Sequence, residues 1–364
     1  MNSAEEKNFS NSSALGNGGL TPKQLGYRFP AEFEPHAATW LSWPHKEASW
    51  PGKIHTIFPY YCQFVKELTE GEKVCINVND VAMKNFASDQ LQCAGVDLEK
   101  VEFFFHPTND AWCRDHGPAF LVNPGADQKK IIVDWNYNAW GNKYPPFDLD
   151  DVIPTLIAKH YGIPVFHPGI IMEGGSVEFN GAGTLITSTA CLLNENRNPH
   201  LTKTQIENYL SNYYGVEQIL WVCEGIVGDD TDGHIDDTIR FVNEDTVLAV
   251  IEENRNDENY ELLQRNLKDL EQMRLPNGSQ LNIVELPMPG EVIYDNQRLP
   301  ASYANFYIAN DAVIVPTYRC AKDKRAIDII EHCFPDRKVI GIDSTEIIWG
   351  LGSFHCLSQQ EPAL

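Results

Sequence analysis

The chain has 364 residues, of which 43% are hydrophobic, and a formal net charge of -23. That length permits one large domain or two ordinary ones with an ample core, which excludes a disordered chain. The charge argues against nucleic acid or an anionic membrane as partner, because phosphates are repelled, and it favours a cationic ligand. The 9 Cys are scattered singly without a CxxC pair, the pattern of reduced thiols in a cytoplasmic protein rather than of a disulfide framework or structural zinc site. No run of about 18 apolar residues occurs.

Residues 1–24, opening with Ser, Asn and Gly, read as a disordered arm without the apolar segment of a signal peptide or anchor, and 25–364 as one domain. Residues 37–43 read as a strand ended by Pro44. A helix begins near Thr56, with Ile57, Tyr60, Tyr61, Phe64, Val65 and Leu68 on one face, and the strand 74–78 follows. Helix-then-strand order recurs at 148–161 (capped by Asp148) with 164–166, at 203–214 with 219–222, at 258–273 with 281–286, and at 322–334 with 338–342. After these strands come a polar or glycine-bearing loop and, in the first four units, a strand hairpin. The first unit adds a helix at about 80–94 and a strand at 101–105. The fifth carries only the strand 354–358, and 37–43 lacks a partner. Pairing these two closes a ring, as in repeats that bury a core only against their neighbours. The expected fold is α/β, a five-bladed αβ propeller, with a layered mixed sheet as the alternative.

The loops of such a ring converge at one end. They carry Asp115, Glu173, His234 with Asp236, and Cys356. The stretch 230–237, framed by strand-like runs, belongs at the exposed end of a sheet. A thiolate attacks an electron-poor carbon, paired carboxylates grip a guanidinium, and a His–Glu pair moves protons, so the set fits C–N hydrolysis at a guanidine. In a strand, His355 faces away from Cys356, which leaves His234 as the partner of the nucleophile. Cys356 is expected to be the fastest-reacting thiol.

The segments Asn-Asp-Ala-Trp-Cys-Arg-Asp-His-Gly-Pro at 109–118, Asp-Trp-Asn-Tyr-Asn-Ala-Trp-Gly at 134–141, Glu-Gly-Gly at 173–175, Leu-Leu-Asn-Glu-Asn-Arg-Asn-Pro at 192–199, Thr-Asp-Gly-His-Ile-Asp at 231–236, Asn-Phe-Tyr-Ile-Ala-Asn at 305–310 and His-Cys-Leu-Ser-Gln-Gln at 355–360 occur in order. In these the chain resembles the agmatine deiminase and Porphyromonas-type peptidylarginine deiminase family of the guanidine-modifying pentein superfamily. The resemblance implies the pentein fold and a deiminase that converts agmatine to N-carbamoylputrescine and ammonia, a step toward putrescine. It implies Cys356 as nucleophile through a covalent amidino intermediate, His234 as acid and then base, Glu173 orienting it, and Asp115 and Asp236 as guanidinium clamps, with no metal or cofactor. Trp112, Asp230, Asp232 and Gly352 are candidate substrate-binding residues. The expected partner is a small cationic guanidine, and the resemblance admits a homo-oligomer. Leu351 and Ser353 stand where the family carries Gly and Asn, and His116, Asp237 and Asn142 where Thr, Asn and Gly are common. The alternatives are a peptidylarginine deiminase, a metal-dependent hydrolase using the Asp-rich stretch, and a non-catalytic guanidine binder.

Overall fold

The computed structural model describes residues 19–364, so residues 1–18 of the expected arm at 1–24 lie outside the described residues. Residues 21–24 are tied to the body: the Lys23 backbone N–H donates to the Asn212 carbonyl at 3.0 Å, and its Nζ to Ser211 Oγ at 2.7 Å.

The fold is mixed α/β. The strands are β1 (His36–Ser42), β2 (Lys73–Asn77), β3 (Val101–Phe104), β4 (Ala119–Val122), β5 (Lys130–Val133), β6 (Val165–Phe166), β7 (Val177–Phe179), β8 (Thr184–Ser188), β9 (Gln218–Val222), β10 (Ile239–Phe241), β11 (Thr246–Ile251) and β12 (Asn282–Pro287). After these come β13 (Ile293–Tyr294), β14 (Gln297–Arg298), β15 (Tyr307–Ile308), β16 (Ala312–Thr317), β17 (Lys338–Asp343) and β18 (Ser358–Pro362). Three-stranded sheets run β4-β5-β6, β7-β8-β9, β10-β11-β12 and β15-β16-β17. Each is an antiparallel hairpin whose second strand pairs in parallel with the strand beyond the next helix. The remaining large sheet, β18-β1-β2-β3, joins the two ends of the chain, with Leu41 opposite Ser358 and Trp40 opposite Gln359.

Local chemistry explains where the elements lie. The helix Ile54–Gly71 buries Ile57, Tyr61, Phe64, Val65 and Leu68, the face expected from their spacing. Full burial of such side chains contributes about 1.5–3 kcal/mol each. Thr202 opens the helix Lys203–Tyr214 with a capping box closed by Gln205.

Two expectations are corrected. The helix expected from Asp148 begins at Ile153, with Pro at its start and no side-chain cap. The acidic residues before it bond elsewhere: Asp150 accepts from the Asn109 N–H at 2.7 Å and Asp151 from the Tyr137 N–H at 2.7 Å. The last strand is Ser358–Pro362 rather than 354–358. Residues 354–357 instead form a tight turn, in which the Leu357 N–H donates to the Ser353 carbonyl at 3.0 Å. Strand alternation therefore does not govern where His355 and Cys356 point.

Candidate active site

Three loops and one turn deliver the principal residues. Asp115 lies on the short helix Cys113–His116, and the neighbouring Arg114 N–H donates to the Cys356 carbonyl at 3.1 Å, tying that helix to the Cys356 turn. Glu173 precedes the one-turn helix Gly174–Ser176. The Gly175 N–H donates to Asp115 Oδ1 at 3.0 Å, and a Cβ there would come within 2.6 Å of His234 Nδ1 and 2.8 Å of Asp115 Oδ1, so only glycine fits. His234 and Asp236 sit on the 230–237 stretch. Asp229 shapes it by accepting from the N–H groups of Thr231 at 2.7 Å and Gly233 at 2.9 Å. Only the start of this stretch is partly exposed as expected, the Asp230 side chain at 41%, whereas residues 233–237 are buried, His234 at 1% and Asp236 at 0%.

Around Cys356 the carboxylates converge. Its Sγ lies 3.6 Å from Asp236 Oδ2, and Asn305 Nδ2 donates to the sulfur at 3.0 Å. His234 Nδ1 is 3.6 Å from Asp115 Oδ1. Among the described residues, neither ring nitrogen of His234 nor Asp236 Oδ1 has a hydrogen-bond partner, although all are buried. Buried polar atoms left open in this way are costly unless a ligand satisfies them.

The cluster sits at a cleft of about 200 Å³ whose wall includes Trp112, Asp115, Trp140, Asp230, Gly352 and Cys356. Gly352 is a close approach: a Cβ would lie 2.6 Å from the Trp112 ring. Asp230 accepts from the Tyr144 hydroxyl and is 3.6 Å from Lys143 Nζ. Asp232, expected to bind substrate, is not in the wall. It is turned toward Arg197 Nη1 at 2.6 Å, Lys143 Nζ at 2.8 Å and Asn196 Nδ2 at 2.9 Å, because basic groups on neighbouring loops compete for it.

Burial raises the Asp115 carboxyl to about 6, outweighing the opposing pull of His234. Burial acts against the charged form of His234, yet Asp115, Cys191 and Asp236 together hold it well above the ordinary imidazole range. Asp236 stays below the ordinary carboxylate range: burial opposes this, but the hydrogen bond from His355 and the charges of His355, His234 and Arg240 prevail. Burial, then Asp236, Asp237 and Asp115, push the Cys356 thiol well above its usual value. In the unliganded cleft three carboxylates therefore surround a sulfur that is 6% exposed, an environment that opposes the expectation of Cys356 as the fastest-reacting thiol.

The arrangement can hold a planar cation between carboxylates with its carbon facing a sulfur, and it supplies a protonated imidazole beside it. The comparisons accord with that chemistry. The family model of Porphyromonas-type peptidyl-arginine deiminase matches residues 28–362. The chain belongs to that family. An agmatine deiminase of Ectopseudomonas mendocina is 32% identical over 366 residues, covering 94% of this chain and 97% of that protein. The solved agmatine deiminase of Enterococcus faecalis superposes with a TM-score of 0.88 at 32% identity, covering 94% and 98% of the two chains. A cysteine-to-serine variant of C. jejuni agmatine deiminase with substrate bound gives a TM-score of 0.83 at 34% identity, covering 92% and 96%.

Against this family background, several residues that sequence reasoning passed over take part in the site. Trp140 Nε1 donates to Asp115 Oδ2 at 2.9 Å from a turn whose residues Ala139 to Asn142 all have positive φ, so Asn142 occupies a left-handed position that glycine or asparagine accepts best. Asn305 donates to Asp237 at 2.9 Å as well as to Cys356. Arg197, with a fully buried side chain, bonds Glu173 Oε1 at 2.6 Å. Each of these lies in a segment that carries the family resemblance, which was the available signal. Glu32, 6% exposed, lies in none of them. Glu173, Cys191 and His234 form a trio of donor atoms within 4.8 Å of one another, a set of metal-ligand type, although Arg197 already neutralises Glu173.

Proposed function

We propose that this chain hydrolyses the guanidinium of agmatine to N-carbamoylputrescine and ammonia. The observation that carries the reading is that Cys356 and Asp115 share one cleft wall, with the buried Asp236 behind it at 3.6 Å from the Cys356 sulfur, in a chain that belongs to a guanidine-deiminating family.

Asp115 and Asp236 accept hydrogen bonds from the guanidinium, and the bound cation offsets the carboxylate field that keeps Cys356 protonated. The sulfur then attacks the central carbon while His234 donates a proton to the departing amine. The proton released by Cys356 leaves with the ammonia as ammonium, and a cationic amidino-thioether remains. His234, now neutral, takes a proton from water as its oxygen attacks the same carbon. The C–S bond breaks, the proton on the attacking hydroxyl passes to the sulfur to restore the thiol, the neutral urea leaves, and the proton taken from water stays on His234, which restores the protonated imidazole. Glu173 orients His234, and Arg197 holds Glu173 in place through a hydrogen bond of 2.6 Å. Asp230, at the cleft wall, faces the distal ammonium of agmatine, with Trp112 as an apolar or cation–π surface. This scheme uses no metal.

Residues 25–364 form a single catalytic domain in this reading. Its five large sheets are the blades of a pentein-type αβ propeller, with the β1–β18 pairing as the closure; their shared strand plan supports this. The partner is a small cationic guanidine rather than nucleic acid or a membrane, and the net charge of -23 supports it. No described helix is long and apolar enough to cross a membrane.

The test is ammonia release from agmatine, free arginine and an internal-arginine peptide, with the parent chain and Cys356→Ser. Release from agmatine alone, abolished by the substitution, is the expected result. Release chiefly from the peptide overturns the substrate, and release that survives Cys356→Ser overturns the nucleophile.

A further inference from the structure

His355 was expected to face away from the chemistry, yet its two ring nitrogens each meet a carboxylate. Nδ1 lies 2.7 Å from Asp236 Oδ2 and Nε2 lies 2.8 Å from Glu32 Oε2, and all three residues are buried. Two ionised carboxylates at these distances are both satisfied only by a ring that carries a proton on each nitrogen. Asp236 Oδ2 is thereby engaged, while Oδ1 of the same carboxylate has no partner among the described residues.

Glu32 is itself a junction. Its Oε2 accepts from Arg114 at 2.8 Å, and its Oε1 accepts from Arg240 at 2.8 Å and from the Ile308 N–H at 2.8 Å. Arg114 is the chain neighbour of Asp115, Arg240 lies on the strand that follows Asp236, and His355 adjoins Cys356. One N-terminal carboxylate therefore joins the segments that carry both clamps and the nucleophile. Arg240 is balanced in turn by Glu178 at 3.1 Å, so the buried cluster pairs its charges internally.

We propose that His355, anchored by Glu32, is the positioning residue that fixes the Asp236 carboxylate so that its free Oδ1 meets the substrate guanidinium. The inference rests on reading Asp236 as a guanidinium clamp. Glu32 stops the ring from turning, the ring holds one oxygen of Asp236, and the planar carboxylate then presents the other at a fixed angle. A guanidinium held by directed hydrogen bonds needs that angle as much as it needs the charge. The other charged or titratable groups that face Asp236 are Asp115, His234, Asp237, Arg240 and the Cys356 thiol, which is serine throughout the experiment below, and those around His355 are Glu178 and, through Glu32, Arg114 and Arg240. These groups are present with or without His355, and Asp115, raised to about 6 by burial, titrates in every variant alike; Arg240 is held by Glu32 and Glu178 rather than by His355.

The experiment measures agmatine binding by calorimetry across pH on the full chain carrying Cys356→Ser, alone and combined with His355→Leu or His355→Asn. His355→Leu removes both ring donors. His355→Asn keeps one near the Nδ1 position. Binding is expected to weaken at least tenfold in His355→Leu, and the pH below which binding is lost is expected to rise, because Asp236 loses the donor that favours its ionised form. His355→Asn is expected to recover a substantial part of both. Parental affinity and pH dependence in either double variant overturn the proposal, as does His355→Asn that folds but binds no better than His355→Leu. If His355→Leu does not fold, the His355→Asn profile alone decides, since a purely structural histidine leaves its pH dependence unmoved. A Cys356→Ser chain that does not bind agmatine defeats the substrate reading itself, and the clamp with it.

Discussion

Arg197→Met should destabilise the protein far more than its single position suggests. The side chain is fully buried and donates from Nε to Glu173 at 2.6 Å, from Nη1 to Asp232 at 2.6 Å and from Nη2 to the Thr231 carbonyl at 2.8 Å. Methionine fills much of the same volume but leaves the Glu173 carboxylate, also fully buried, without its countercharge. Removing one partner of such a pair costs about 3–5 kcal/mol, because the remaining buried carboxylate loses the cation that was hydrogen-bonded to it and has no water in exchange. With an unfolding entropy of about 2.1 cal/mol/K per residue, a chain of this length loses roughly 4–7 °C in Tm. Asp232→Asn is the contrasting case: Asp232 is 20% exposed and is not the group left bare, so it should cost about 1 kcal/mol or less. Thermal unfolding followed by circular dichroism distinguishes the two. A Tm for Arg197→Met within about 1 °C of the parent, or equal losses in both variants, refutes the argument that Arg197 neutralises Glu173.

Asp115 must be ionised to accept a guanidinium, and burial raises it to about 6, so kcat/KM should fall as pH drops below about 6. Trp140→Phe removes a hydrogen bond that lowers Asp115, so the acid limb should move to higher pH; an unmoved limb in a pH–rate profile removes Asp115 as its source. In limited alkylation at neutral pH without ligand, exposed Cys93 should label before Cys356, and peptide mapping that finds Cys356 first contradicts the thiol state argued for the empty cleft. Leu351 has a φ of +70°, a conformation that costs an L-residue about 1–2 kcal/mol. Leu351→Gly should therefore be more stable than Leu351→Ala by about 1 kcal/mol, the reverse of the usual order, as read from denaturant midpoints; the usual order there would remove backbone strain as the explanation.

The chain by itself determined the elements and most of the chemistry. Hydrophobic spacing marks the buried face of Ile54–Gly71, Thr202 and Gln205 mark the start of Lys203–Tyr214, and Asn180 marks a hairpin turn, because each signal acts between residues a few positions apart. Those signals also place Asp115, Glu173, His234 and Asp236 in loops between elements, where function concentrates. Tertiary structure decided what those groups do to one another. Glu32 reaches Arg114 across 82 residues and Arg240 across 208, so no local pattern could reveal it as a junction. The 354–357 segment reads locally as a strand, but as a turn it gives His355 to Asp236 and Cys356 to the cleft. Asp232 and Asp236 look alike in sequence. Arg197 and Lys143 occupy Asp232, while the second oxygen of Asp236 is left free, because charge pairing depends on distance in space rather than along the chain.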